Sequence, residues 1–174
     1  MSRTALIVID MINAYDFPDA EKLIPSAERA VPVIRKLIDQ AGSDVPVIYV
    51  NDNFGHWRSN RDELIEEACA SDHADLVRPI TPGEDALFVV KARHSIFYQT
   101  PLEYLLNQED VGSLILTGQV TEQCILYSAL DAYIRHFDVR VPPDAVAHIH
   151  QNLAEAALTM MERNMSADLT PVRG

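Results

Sequence analysis

Leu114-Ile115-Leu116-Thr117-Gly118-Gln119-Val120-Thr121-Glu122-Gln123-Cys124 runs from an aliphatic segment, through a glycine, into helical periodicity. Its first part belongs to 113–117, an apolar run without polar alternation, which reads as a strand buried on both faces. Its second part opens the best helix pattern of the chain, 121–135. There Cys124, Ile125, Ser128, Leu130, Ala132 and Ile134 line up beside polar residues.

The same alternation recurs on both sides. Residues 4–9, 46–50, 87–90 and 137–141 read as further buried strands, and a short sixth strand is expected near 167–170. Helices are expected over 26–40, 60–70, 101–107 and 151–164. Pro32 lies inside the first and should kink it or shift its start. Thr100 and Pro101 make a cap and first-turn pair for the third. Strand and helix alternating in this way predict one α/β domain over 1–174. It is a doubly wound, mostly parallel six-stranded sheet with helices on both faces, Rossmann-like. Ligands of such sheets bind beyond the carboxyl ends of the strands. The residues to read are therefore Asp10, the 51–57 and 91–97 segments, 118–124 and the loop at 142–144.

The 174 residues carry 14 Lys and Arg against 26 Asp and Glu, a formal charge of −12. That balance argues against a nucleic-acid partner, which needs clustered cations to neutralise phosphates. Hydrophobic residues at 48% and charged residues at 23% match globular usage and argue against disorder. No apolar run approaches the ~20 residues of a membrane span. The apolar run after Arg3 stops at Asp10, too soon for a secretory leader. Cys69 and Cys124 do not make a disulfide framework, so a cytoplasmic protein with reduced thiols is expected.

Cys124 sits near a predicted helix start, where the dipole favours a thiolate and free N–H groups can hold an oxyanion. A cysteine nucleophile needs that setting; a small buried hydrophobe fits the position equally well. Asp10 ends the first strand, as a general base or as a loop carboxylate. Lys91 ends another, as a cation for an anionic site or as a snorkelling surface residue. All three leave strand ends on one rim, where together they supply a base, a cation and a nucleophile.

Taken together, these segments resemble the isochorismatase-like cysteine hydrolase superfamily, which includes nicotinamidases and N-carbamoylsarcosine amidohydrolases. Ile9-Asp10-Met11-Ile12-Asn13 with Tyr15 is similar to its D-M-Q-N-x-F. Lys91, Ser95 and Phe97 are similar to K-x-x-x-S-x-F, and Thr100 and Leu102 follow. Thr117-Gly118, Thr121 and Cys124 are similar to T-G-x-x-T-x-x-C, and Asp144-Ala145 resembles a later D-A element. The resemblance covers essentially the whole chain, in order. It implies the isochorismatase-like hydrolase fold and a triad of Asp10, Lys91 and Cys124. It also implies a non-proline cis peptide between Val120 and Thr121, an oxyanion hole from the Thr121 and Cys124 N–H groups, and a homo-oligomer, dimer or tetramer.

The implied reaction is hydrolysis of a small amide, carbamoyl or related C–N substrate through a thioester. Asp10 accepts the thiol proton, delivers it to the leaving amine, and then activates water. An isochorismatase-type vinyl-ether hydrolase is the enzymatic alternative, and a non-catalytic binding or regulatory protein is the alternative of another class. Nicotinamidases of the superfamily carry an Asp, then a His two residues later, then another His. Here Asp52 is followed by Phe54 and then His56, too few ligands for zinc, so no metal and no cofactor are expected. Tyr15, Phe54, Trp57 and Phe97 are expected to form the substrate-binding wall. His94 is the second candidate base. His148 and His150 read as an exposed loop pair, and Arg58 and Arg61 as a solvated helix start.

Overall fold

The computed structural model describes residues 2–172. Its strands are β1 (Arg3–Ile9), β2 (Val47–Asp52), β3 (Leu87–Lys91), β4 (Val111–Gln119), β5 (Asp138–Arg140) and β6 (Val146–Ala147). They form one sheet in the order β3-β2-β1-β4-β5, with β6 also on β4, and these pairings are parallel. The helices are α1 (Ala20–Ala41), α2 (Arg61–Ala70), α3 (Ala74–Val77), α4 (Leu102–Gln108), α5 (Leu126–Ile134) and α6 (Gln151–Met165).

Side chains of a strand alternate between faces, and β1 divides the core accordingly. Ala5, Ile7 and Ile9 pack with Leu102, Ala129 and Met161 of α4, α5 and α6. Leu6 and Val8 pack with Leu23, Ala27 and Ile34 of α1 and with Leu64 and Val77 of α2 and α3. The chain moves outward from β1 through β2 to β3, then returns to place β4 on the other side of β1. The carboxyl ends of β1 and β4 therefore flank the point where the winding reverses, which is where open α/β sheets leave a crevice. The two strands approach closely there. Gly118, at φ +108°, faces Ile9, and a Cβ on it would overlap the Ile9 carbonyl oxygen.

Three elements differ from expectation. The sixth strand is Val146–Ala147, in register with Gly118 and Gln119; in 167–170 only Asp168 pairs, as a single bridge to Arg140. Two residues are too few to show a period. Helix α1 begins at Ala20 and contains both Pro25 and Pro32, because its buried stripe (Ala20, Leu23, Ala27, Ala30, Ile34) runs through both prolines. The helix expected over 121–135 opens as a π turn, Thr121–Ile125, before α5. The Ile125 N–H reaches back five residues to the Val120 carbonyl at 3.2 Å. Thr121 Oγ1 is meanwhile drawn to the Ala147 carbonyl at 3.0 Å.

Candidate active site

Asp10 is the first residue after β1 and has φ +56°, a left-handed conformation that Asp tolerates better than most residues. Its N–H donates to the Val50 carbonyl at 3.1 Å, and its own carbonyl accepts from Gln119 Nε2 at 2.9 Å. Its Oδ1 accepts from the Asp52 N–H at 2.8 Å. Asn51 braces the same corner, bonding both the N–H and the carbonyl of Ile12 at 3.0 Å.

Lys91 ends β3, and its side chain is fully buried. Nζ lies 3.0 Å from Asp10 Oδ2, 3.3 Å from Asp52 Oδ2 and 3.0 Å from the Arg93 carbonyl. Cys124 Sγ lies 3.6 Å from the same nitrogen. The three strand-end residues are thus brought together by β1, β3 and the turn after β4.

Their charges follow from this packing. Burial pulls the ammonium down, but Asp10, Cys124 and Asp52 outweigh it and hold Lys91 above the usual lysine range. Burial pushes the Asp10 carboxyl up, and Lys91 and the Cys124 thiol pull it back. Burial pushes the Cys124 thiol up, the Asp10 charge adds to that, and Lys91 opposes both. Burial and the Asp10 charge thus oppose the thiolate that the helix start and Lys91 favour. Asp10 and Cys124 meet on the same Lys91 nitrogen, at 3.0 and 3.6 Å, which brings an acceptor close to the thiol proton.

The expected cis peptide is also corrected: the non-proline cis bond is Gln119–Val120, one residue earlier. In the turn, the Val120 carbonyl accepts from the N–H groups of Gln123 and Ile125 but not from Cys124 between them.

A cavity of about 500 Å³ opens above this group. Asp10, Cys124, Gln119 and Val120 form its floor, Asn13, Asp16, Phe17 and Asp19 one side, and Leu64, Glu67 and Ala68 of α2 another. Of the four aromatics expected on the wall, only Phe54 lines it, half-exposed. Tyr15 lies behind the wall, its hydroxyl donating to Gln119 Oε1 at 3.3 Å and pushed by burial up to about 12. Phe97 is core, stacked on Phe137 at 5.9 Å with Arg135 4.8 Å over its ring. Trp57 is 83% exposed and stands off the cavity. These three are corrections: chain position on the rim does not fix which way a ring points.

Asp52 is taken by Lys91 and by the Phe54 N–H at 2.7 Å. His56 lines the cavity, and among the described residues no three His, Cys, Asp or Glu side chains converge as a metal site. The residues around Asp52 do not fit zinc. His94 lines the cavity with Nδ1 3.7 Å from Cys124 Sγ. His148 is half-buried against Ser26 Oγ at 3.1 Å, not free in a loop, while His150 is exposed. Arg61 pairs with Asp62 at 2.7 Å. Asn51, Gln119 and the Asp52–Lys91 pair are missed by the sequence reading. Their only signal there is polarity at the carboxyl ends of β2 and β4.

The Isochorismatase domain family model matches residues 4–172. The isochorismatase family protein YaaI of Bacillus subtilis is 35% identical over 167 residues, 95% of this chain and 92% of that one. An N-carbamoylsarcosine amidase of an Arthrobacter species is 26% identical over 160 residues, 83% of this chain and 60% of that one. The crystal structure of N-carbamoylsarcosine amidase from Thermoplasma acidophilum superposes with a TM-score of 0.76 at 25% identity, covering 99% and 98% of the two chains.

Proposed function

The chain belongs to the isochorismatase family of hydrolases, and on that premise we propose that it hydrolyses a small amide or carbamoyl C–N bond through a Cys124 thioester. One observation carries the reading: Lys91 Nζ joins Asp10 at 3.0 Å and Cys124 Sγ at 3.6 Å, and Asp10 and Cys124 both line the floor of a cavity. The amidase relatives support the bond type.

The residues divide the work as follows. Asp10 takes the thiol proton as sulfur attacks the carbonyl carbon. Lys91 stays charged throughout and offsets the thiolate that forms. The Thr121 and Cys124 N–H groups receive the oxyanion, and Cys124's is the one the Val120 carbonyl leaves out. Asp10 then passes the proton to the nitrogen, the C–N bond breaks, and ammonia or an amine leaves. Water cleaves the thioester and restores the thiol.

The wall supports an amide over isochorismate. Asp16, Asp19 and Glu67 face the cavity and no Lys or Arg side chain is among the residues lining it, a poor match to a dianion. Vinyl-ether hydrolysis also has no use for a thiol nucleophile. A non-catalytic scaffold would have no reason to bury an ammonium beside that thiol. Ammonia release from a panel of small amides tests the reading. Cys124→Ala should abolish it, and Asp10→Asn should lower it by at least about 10²-fold. Turnover by Cys124→Ala at the wild-type rate would refute the thioester.

No helix among the described residues is long and apolar enough to cross a membrane. The two free thiols, Cys69 and Cys124, fit a reducing, cytoplasmic setting. A dimer or tetramer fits the exposed Tyr127, Leu130, Tyr133 and Ile134 on the outer side of α5. A monomeric mass by light scattering at micromolar concentration would count against it.

A further inference from the structure

The floor of the site is closed on one side and open on the other. Lys91 has no exposed side-chain surface, and both Asp10 oxygens are occupied, one by the Asp52 N–H at 2.8 Å and one by Lys91 at 3.0 Å. His94 stands on the solvent side: it is exposed, lines the cavity, and places Nδ1 3.7 Å from Cys124 Sγ. The Tyr127 ring, 5.5 Å away at 51°, packs against the imidazole.

We propose that His94 is the catalytic base and acid of the second half-reaction, thioester hydrolysis; this rests on the thioester reading above. Once the amine has left with its proton, Asp10 is again a carboxylate with one oxygen held by Lys91 and the other by the Asp52 N–H. Water enters from the open side. The acyl carbon is bonded to Sγ, so a water held at Nδ1 is within reach of it. Neutral His94 takes one proton from this water as its oxygen bonds to the acyl carbon. The tetrahedral adduct then collapses, the C–S bond breaks and its electron pair remains on sulfur. The imidazolium returns the proton to Sγ. The product leaves as a carboxylic acid that ionises in solvent. Cys124 is again a neutral thiol, the form that its burial and Asp10 favour at rest.

The probe that separates the two halves is p-nitrophenyl acetate, whose nitrophenolate reports acylation while intact mass reports acetyl-Cys124. In His94→Gln, acetylation should stay within about threefold of wild type, while deacetylation falls by about 10²-fold or more, so acetyl-Cys124 accumulates. Added imidazole should restore part of the second rate. Because His94 is exposed, the variant should melt as wild type does. Deacetylation by His94→Gln at the wild-type rate would overturn the assignment, and so would an equal loss in both halves. Turnover of the ester with no acetyl on Cys124 in either wild type or His94→Gln, both quenched during the reaction, would sink the thioester reading itself, a different outcome from either.

Discussion

Removing the Lys91 ammonium would leave Asp10 and Asp52 facing a buried position with no countercharge. Breaking a buried pair from one side costs about 3–5 kcal/mol, because the remaining charge stays desolvated. Lys91→Met should therefore lower the melting temperature at neutral pH. The pH dependence has a definite sign. Burial raises the Asp10 carboxyl, and Lys91 is the largest influence opposing that. Without the lysine the raised pKa stands. A raised carboxyl contributes its stability below the unfolded value of 3.8 and loses it as pH rises through the folded value. The deficit of Lys91→Met relative to wild type should thus shrink on acidification from neutral pH toward the unfolded value of 3.8. A deficit that grows on acidification would refute the argument. At this scale Asp10, Lys91 and Cys124 are legible in the sequence, because each ends a readable strand or opens a readable helix. The contacts of His94, Asn51 and Gln119 are not. They depend on how β1, β2 and β4 register, and no local pattern carries that information.

Helix α2 forms a wall of the cavity through Leu64, Glu67 and Ala68, yet little inside it enforces helix. Only Leu64 and Ala68 are buried along its ten residues. Its start is fixed instead by Asn60, whose Oδ1 accepts from the N–H groups of Asp62 and Glu63 at 3.0 and 3.1 Å. Loss of such a cap costs about 1 kcal/mol. Asn60→Ala should lower stability by that amount and raise KM more than it lowers kcat, since α2 shapes the wall and stands apart from the reacting atoms. A loss confined to kcat would place α2 in the chemistry and contradict this division. The cap itself is readable, an Asn ahead of a charged helix, as are the four longer strands β1 to β4 with their β-branched and aliphatic runs. Strand β6 and the π turn are not. Two residues of strand show no period, and the turn is widened by tertiary bonds from Thr121 and Glu122 to the chain around β6.

For the whole molecule, the sequence yields the winding and the edge on which the site lies, but not the character of the cavity. Its acids come from separate parts of the chain: Asp16 and Asp19 from the loop after β1, Glu67 from α2. Asp19 is partly offset by Lys22 at 2.8 Å. The field at the mouth is negative, and the formal charge of −12 on the chain reinforces it. A low-dielectric cleft lined by one sign of charge draws in ligands of the other sign. Between amides of similar size, one carrying an ammonium, such as glycinamide, should have a higher kcat/KM than one carrying a carboxylate, such as succinamate. Exposed charges are screened over about 10 Å at 0.1 M salt and about 3 Å at 1 M. The ratio should therefore contract between these conditions. Asp16→Asn with Glu67→Gln should contract it at low salt while leaving acetylation of Cys124 by a neutral ester unchanged, since neither side chain touches the sulfur. A preference for the carboxylate amide, or a ratio indifferent to both salt and the double substitution, would show that the mouth of the cavity does not select by charge.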